Sequence, residues 1–272
     1  MRTLIHRQEY LDRMAKPLQE KLKVSKYIPE EVKNVLDVGC ADGAVTRALA
    51  ELFPQVNFYG IDLDEGFIRL ASETNKDLDN VKFEKIYLRD LLARPERFDA
   101  VTFCSVLHEF YTYGEGISSV LKALADAHEL LNENGVIIIR DMILGGYTKK
   151  ANLHYQEILE KILNSSFTSH VEDFENRFGK LNNLYKINHF LLKYFYTDNW
   201  NREGKEHYVP VTFEEYEQIF NLLGMTVQCK VSYLLPFLKE KWMADFNFSE
   251  DEAALFSSTG ILVAQKNKII HH

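Results

Sequence analysis

The chain has 272 residues and a net charge of −8, with 46% hydrophobic and 26% charged residues. These proportions exclude disordered and fibrous classes and leave room for a sizeable core, and the acidic balance argues against a chain that lives on phosphate backbones. Cys40, Cys104 and Cys229 are too scattered for a disulfide framework or a zinc site, and the longest apolar run, Val136-Ile137-Ile138-Ile139, falls far short of the roughly 20 residues that span a bilayer, so the sequence reads as soluble and cytoplasmic, with no membrane partner.

Leu4, Arg7, Leu11, Met14, Leu18 and Leu22 recur at helical spacing, which predicts an amphipathic helix over residues 3–24. Strands and helices then alternate. Asn34–Val38 reads as a strand, Gly43–Leu52 as a helix stopped by Pro54, Val56–Ile61 as a second strand and Glu65–Thr74 as a second helix. Val81–Tyr87 reads as the third strand, Phe98–Cys104 as the fourth, Ile117–Leu131 as a helix closed by a left-handed Gly135, and Val136–Asp141 as the fifth strand. Strands that are apolar on both faces and alternate with helices imply a parallel sheet covered on both sides. From Gly145-Gly146 to about Val211 the rhythm breaks into an aromatic, helical insertion. It resumes with Thr212 and Glu215 as a capping box, a helix over Phe213–Leu223 ended by Gly224, a strand over Met225–Leu235 and a last strand over Gly260–Gln265. The division expected is an N-terminal helical cap over 1–33, a cofactor-binding half over 34–144, a lid over 145–211 and the returning sheet over 212–270.

The first strand runs into Asp37-Val38-Gly39-Cys40-Ala41-Asp42-Gly43, and the second ends at Gly60-Ile61-Asp62-Leu63-Asp64. This is a nucleotide-type pocket at the top of a doubly wound sheet. A dinucleotide site would use GxGxxG, because backbone amides must crowd against a pyrophosphate. Here the turn is GxxxG, and Asp37 and Asp42 would repel a pyrophosphate but suit a ligand that carries an ammonium or sulfonium group.

At these residues the chain resembles the class I S-adenosylmethionine-dependent methyltransferases. Val35–Gly43 resembles the family's first motif, which implies that Asp37 approaches the methionine ammonium and that Gly39, Cys40, Ala41 and Gly43 let the backbone pass beside the cofactor. Asp62 resembles the acidic residue that takes the ribose hydroxyls, with Leu63 beside the adenine. Asp90 and Leu91 match the position where a carboxylate and the next backbone amide meet the adenine ring. Cys104-Ser105, after the fourth strand, match the loop passing under the methyl donor. The resemblance implies an α/β, doubly wound, Rossmann-like sheet of seven mostly parallel strands with helices on both faces, extended by an N-terminal helix and a helical lid insertion. It also implies S-adenosylmethionine as cofactor and S-adenosylhomocysteine as product.

Methyl transfer needs alignment, plus a base where the acceptor is a hydroxyl or amine. His108 is the candidate base in the loop after the fourth strand, with Glu109 as the alternative. Asp141 faces the cleft side, but no Asp-Asn pair follows it, so no metal is expected. His154, Tyr155, His189, Tyr196, Trp200 and Tyr208 are candidates to line the acceptor site in the lid, together with Tyr194, His207 and the hinge at Tyr208-Val209-Pro210. The expected acceptor is a small molecule methylated at oxygen, nitrogen or carbon. Lysines and arginines interleaved with aromatics in the insertion leave an RNA or tRNA methyltransferase as the alternative, and a non-catalytic cofactor-binding subunit as a third reading. No motif fixes the oligomeric state.

Overall fold

A computed structural model of the chain describes residues 18–149 and 155–267. The helix expected over 3–24 falls mostly outside this range. Its described part is α1 (Leu18–Lys21), which tightens into a 3-10 turn over Leu22–Tyr27. There follow β1 (Asn34–Val38), α2 (Ala44–Leu52), β2 (Asn57–Asp62), α3 (Glu65–Thr74), β3 (Val81–Lys85), β4 (Phe98–Cys104), α4 (Leu107–Tyr113), α5 (Ile117–Leu130) and β5 (Leu131–Asp141). After the lid come three helices and the last two strands, β6 (Met225–Tyr233) and β7 (Thr259–Lys266). The described residues build a seven-stranded sheet in the order β3-β2-β1-β4-β5-β7-β6. All pairs from β3 to β5 are parallel, and only β7 runs against its neighbours. This is the doubly wound, mostly parallel architecture expected from the alternation.

Side chains alternate across a strand, so parity assigns each residue to a layer. In β5, Val136 and Ile138 join the layer that holds Val24, Ile28 and Leu49, whereas Ile137 and Ile139 join that of Leu107, Leu124 and Phe220. Helical elements therefore cover both faces. The same parity separates the two charged residues that end β5: Arg140 faces the layer of the 3-10 turn, and Asp141 faces the layer of α4.

The insertion folds as α6 (Tyr155–Leu163), α7 (Thr168–Phe178), α8 (Leu184–Leu191) and α9 (Trp200–Glu203). Their apolar faces meet in a second core centred on Ile162, Phe174, Phe190, Tyr194 and Trp242. Asn183 caps α8 by accepting from the Lys186 amide at 2.9 Å. Beyond the lid, α10 (Phe213–Leu222) starts on the expected Thr212–Glu215 capping box.

Several boundaries differ from expectation. Between β6 and β7 lie α11 (Pro236–Phe246) and α12 (Glu250–Ala254), which the sequence did not signal; Trp242 of α11 is fully buried in the lid core, so the lid is not confined to 145–211. Pro236 at the start of α11 costs no hydrogen bond there. The segment expected as a loop after the fourth strand is helix α4. Asn134, not Gly135, takes the left-handed conformation before the apolar stretch of β5. A short polar side chain tolerates that region better than most.

Candidate active site

Three left-handed residues shape the turn after β1: Gly39 (φ 73°), Ala41 (φ 49°) and Gly43 (φ 77°). At Gly39 the requirement for glycine is double, because a Cβ would lie 2.4 Å from Cγ2 of Val106. The turn is pinned to β2 by the Gly39 and Cys40 amides, which donate to the Ile61 carbonyl at 2.8 and 3.0 Å. The Ala41 amide donates to Asp62 at 3.0 Å, and the other oxygen of Asp62 accepts from the Asp64 amide at 2.9 Å. Each carboxylate oxygen has a second lone pair, so Asp62 is oriented by backbone yet still able to accept from a ligand hydroxyl.

The cavity beside this turn has a volume of about 230 Å³. Asp37, Asp42, Asp62, Asp64 and Glu109 line it against the single cation Lys21, and Gly39, Cys40, Ala41, Leu63, Cys104 and Ser105 complete much of its wall. A cavity this acidic repels a pyrophosphate and fits a ligand with ammonium and sulfonium charges. Asp37 is on the floor and buried, and it accepts from the hydroxyls of Thr46 at 2.6 Å and Thr102 at 2.9 Å. Burial raises its carboxyl against the pull of those bonds. It therefore contributes charge to the floor with both oxygens already bonded to protein. Gly43 starts α2 outside the cavity lining and fits closely under Phe83. Burial pushes the Cys40 and Cys104 thiols up, which makes them packing groups and not nucleophiles.

Gly39, Asp62, Leu63, Val106 and Glu109 also line a neighbouring apolar lobe of about 380 Å³, with Ile86, Tyr87, Leu88, Phe110 and Tyr113. Here the sequence expectation for residues beside an adenine ring meets a different set of side chains. Asp90 and Leu91 are not in it. Because β3 ends at Lys85 and residues 88–93 wind into a 3-10 turn, Asp90 points outward, exposed, and Leu91 is buried in the core. The apolar residues 86–88, directly after the strand, take that place.

On the far side of Ser105 and Glu109 opens a third lobe of about 250 Å³. His108, in the first turn of α4, is at its wall. Its Nδ1 lies 2.9 Å from Oδ1 of Asp141, and its backbone amide donates to the same carboxylate at 3.2 Å. The pair is buried. Burial alone would lower the imidazole, but the Asp141 charge and hydrogen bond outweigh it and push His108 up to about 9. Asp141 is held below the usual carboxylate range by the same pairing. Partial burial raises Glu109, whose carboxylate faces Arg202 at 3.9 Å.

Of the lid residues expected to line an acceptor site, Tyr196 and Tyr208 line this third lobe. His189 and Trp200 do not. His189 is fully buried in the lid core, accepting from the Tyr208 amide at 3.1 Å and stacking on His207 at 4.6 Å. Trp200 donates from Nε1 to Asp173 at 2.8 Å and packs on His170. Tyr155 packs against the same core, away from the lobe, and Tyr194 is buried in it. His154 lies outside the described residues. At helical spacing these rings satisfy the lid's own packing first. The lobe is completed by residues the sequence reading passed over: Arg140, Met142, Leu235, Phe237, Ser258 and Thr259. One signal was available, the charged Arg140 directly after the apolar run Val136-Ile137-Ile138-Ile139.

Among the described residues no helix is long and apolar enough to cross a membrane, and no group of His, Cys, Asp or Glu is arranged to hold a metal ion. A family model described as a methyltransferase domain matches residues 36–137. An uncharacterized protein of Rickettsia prowazekii is 26% identical over 157 residues, covering 56% of this chain and 56% of its own length. An O-methyltransferase family protein from Burkholderia thailandensis superposes with a TM-score of 0.53 at 12% identity, over 93% of this chain and 57% of that one. The N-methyltransferase NodS from Bradyrhizobium japonicum, in complex with S-adenosylhomocysteine, superposes with a TM-score of 0.50 at 16% identity, over 94% of this chain and 87% of that one. The chain spans about half, or less, of the length of the first curated relatives it matches. Residues 36–137 thus match a methyltransferase domain, and the seven-stranded sheet that contains them has the fold of these solved methyltransferases.

Proposed function

We propose that the protein transfers a methyl group from S-adenosylmethionine to a small-molecule acceptor at oxygen, nitrogen or carbon. The observation that carries this reading is adjacency: an acidic cavity beside the β1 turn and a second cavity under the lid share Lys21, Ser105 and Glu109 in their walls. When bound, the cofactor supplies an electrophilic methyl on a sulfonium leaving group. Asp62 would hold the ribose, Asp37 and Asp42 would favour the cationic end, and the apolar walls at Leu63 and residues 86–88 would hold the base. His108, in its neutral form, would accept a proton from an acceptor hydroxyl or amine, and Asp141 would fix its tautomer and stabilise the imidazolium that results.

The nucleic-acid reading is weaker on charge. In the insertion, Lys149, Lys161, Arg177, Lys180 and Arg202 pair with Glu215, Glu252, Asp173, Glu175 and Glu206, so their charge is spent on the protein's own acids. The lobe under the lid combines apolar and aromatic walls with both acids and cations, so it is not a basic groove. A non-catalytic role would be favoured by side chains that plug the space between the two cavities, and would show as S-adenosylmethionine binding without methyl transfer to any acceptor.

The test is calorimetric titration with S-adenosylmethionine. Asp62→Ala is expected to weaken binding by about 1–3 kcal/mol, the usual effect of losing a charged hydrogen-bond partner. Equal affinity in the folded variant would remove Asp62 from the ribose site. Labelled cofactor incubated with cell extract should pass its methyl to the small-metabolite pool, and label confined to nucleic acid would overturn the acceptor class.

A further inference from the structure

The acceptor lobe contains a buried cation that the reading above does not use. Arg140 ends β5, is 5% exposed, and lines the acceptor lobe but not the cavity beside the β1 turn. A guanidinium carries five N–H donors in a planar fork. One Nη donates to the Ser105 hydroxyl at 2.8 Å, while Nε has no hydrogen-bond partner among the described residues, and none of their carboxylates lies within 4 Å of the group. Leaving such a donor buried without a partner is costly, so the position calls for an acceptor from outside.

The rest of the lobe agrees. Lys21, 6% exposed, reaches the same space from α1. Its ammonium is lowered chiefly by burial and partly by Arg140 itself, which places two like charges near each other. The lobe's own acids are engaged elsewhere. Glu206 accepts from Arg202 at 3.1 Å and from the Tyr113 hydroxyl, Glu203 accepts from the Tyr208 hydroxyl, and Glu109 faces Arg202. The lobe that holds both this cationic group and His108 is walled by Met142, Leu192, Phe195, Leu235 and Phe237. A ligand that satisfies both ends has an apolar or aromatic body, an anion of planar, bidentate geometry at one end and a nucleophile at the other.

We propose that the methyl acceptor is a carboxylic acid with an apolar body, its carboxylate bound by Arg140 with Lys21 and its hydroxyl or amine turned to His108. This rests on the methyl-transfer reading. The other source of a carboxylate is the methionine end of the cofactor, and the acceptor is favoured because Arg140 lines the lobe under the lid and not the cavity beside the β1 turn.

The test titrates the full chain with benzoate, 4-hydroxyphenylacetate and 4-hydroxycinnamate, and with the methyl ester of each, by calorimetry with and without saturating S-adenosylhomocysteine. At least one acid should bind roughly ten- to a hundred-fold more tightly than its ester, the range expected for a charge-assisted hydrogen bond. Arg140→Gln should abolish that preference while S-adenosylhomocysteine affinity stays within about two-fold, and Arg140→Lys, which keeps the charge, should retain part of it. Acid and ester binding alike, or no acid binding at millimolar concentration, overturns the proposal. So does a loss of S-adenosylhomocysteine affinity in Arg140→Gln, which would give the guanidinium to the cofactor. Failure of the unaltered protein to bind S-adenosylhomocysteine would instead refute the methyl-donor reading, and acid selectivity measured without it stands apart from that result.

Discussion

The His108–Asp141 pair makes a quantitative prediction that needs no acceptor. An imidazole normally titrates near 6.5, and His108 is pushed up to about 9 because the Asp141 carboxylate lies 2.9 Å from Nδ1 in a buried site. At about 1.4 kcal/mol per pK unit, the raised imidazolium corresponds to about 3 kcal/mol of preferential pairing in the folded protein. Because the folded value lies above the unfolded one, this stabilisation is fully present below pH 6.5 and is lost as pH rises through about 9. Replacement of Asp141 by Asn removes the charge and leaves the burial, which by itself lowers the imidazole. The midpoint in Asp141→Asn should therefore fall to 6.5 or below. Histidine-selective NMR follows each of the nine imidazoles, with His108→Gln to identify the resonance. Urea unfolding at pH 6 and at pH 10 adds a second readout, since the stability gap between wild type and Asp141→Asn should narrow at the higher pH. A wild-type midpoint at or below 6.5, or a midpoint that Asp141→Asn leaves in place, would refute the reasoning. With His108 as the proposed base, the same shift would place the rising limb of the pH–rate profile well above neutrality.

Two further predictions concern the turn and the lid. Gly39→Ala combines a left-handed backbone with a Cβ 2.4 Å from Val106, and should cost about 2–4 kcal/mol, whereas Gly224→Ala, at φ 68° with nothing within 4 Å, should cost about 1 kcal/mol. Equal denaturation midpoints for the two variants would mean that the close approach to Val106 carries no energy. Lys193 is fully buried among Phe178, Tyr208 and the carbonyls of Glu203 and Glu206, and its ammonium is lowered to about 7. From pH 7 to 10.5 the unfolded chain binds a proton that the folded one has lost. Wild-type stability relative to Lys193→Met should therefore rise across that window by up to about 1.4 kcal/mol per pH unit, and a gap independent of pH would show that Lys193 stays charged.

The cofactor half was legible because its constraints are local. Asp37, Gly39 and Asp62 sit at strand ends, and strand ends follow from apolar runs and turn residues close in sequence. Asp90 misled because one extra turn of 3-10 helix separates it from β3, and no pattern distinguishes a strand that ends at Lys85 from one that ends at Tyr87. His108 was placed near the cleft by its position after β4, but its partner was not. Asp141 is 33 residues away, and the pairing depends on the β4–β5 register that puts Cys104 beside Arg140. The lid aromatics gave a helical period without saying which rings face inward, and His189 and Trp200 answered to the lid's own core.

The acceptor half was illegible for a reason that lies in the topology. Because β7 returns antiparallel between β5 and β6, its first residues lie beside the end of β5, with Gly260 opposite Asp141 and Thr259 opposite Tyr233. The 234–258 excursion therefore leaves and re-enters the sheet at the edge where Arg140 and Asp141 end. Its two ends are tied together there by the Leu235 amide donating to the Ser258 hydroxyl at 3.0 Å and the Ser258 amide donating to the Tyr233 carbonyl at 3.0 Å. That closure sets Leu235 and Phe237 against the lid residues Leu192 to Tyr208, which reach the same edge from the other side of the insertion. Three segments remote in sequence thus form one wall, and on the proposed reading a substitution in any of them would change the acceptor's surroundings without touching the cavity beside the β1 turn. Changes of acceptor should therefore map to 192–208, 235–238 and 258–259, whereas changes in cofactor affinity should map to the turn after β1 and to Asp62.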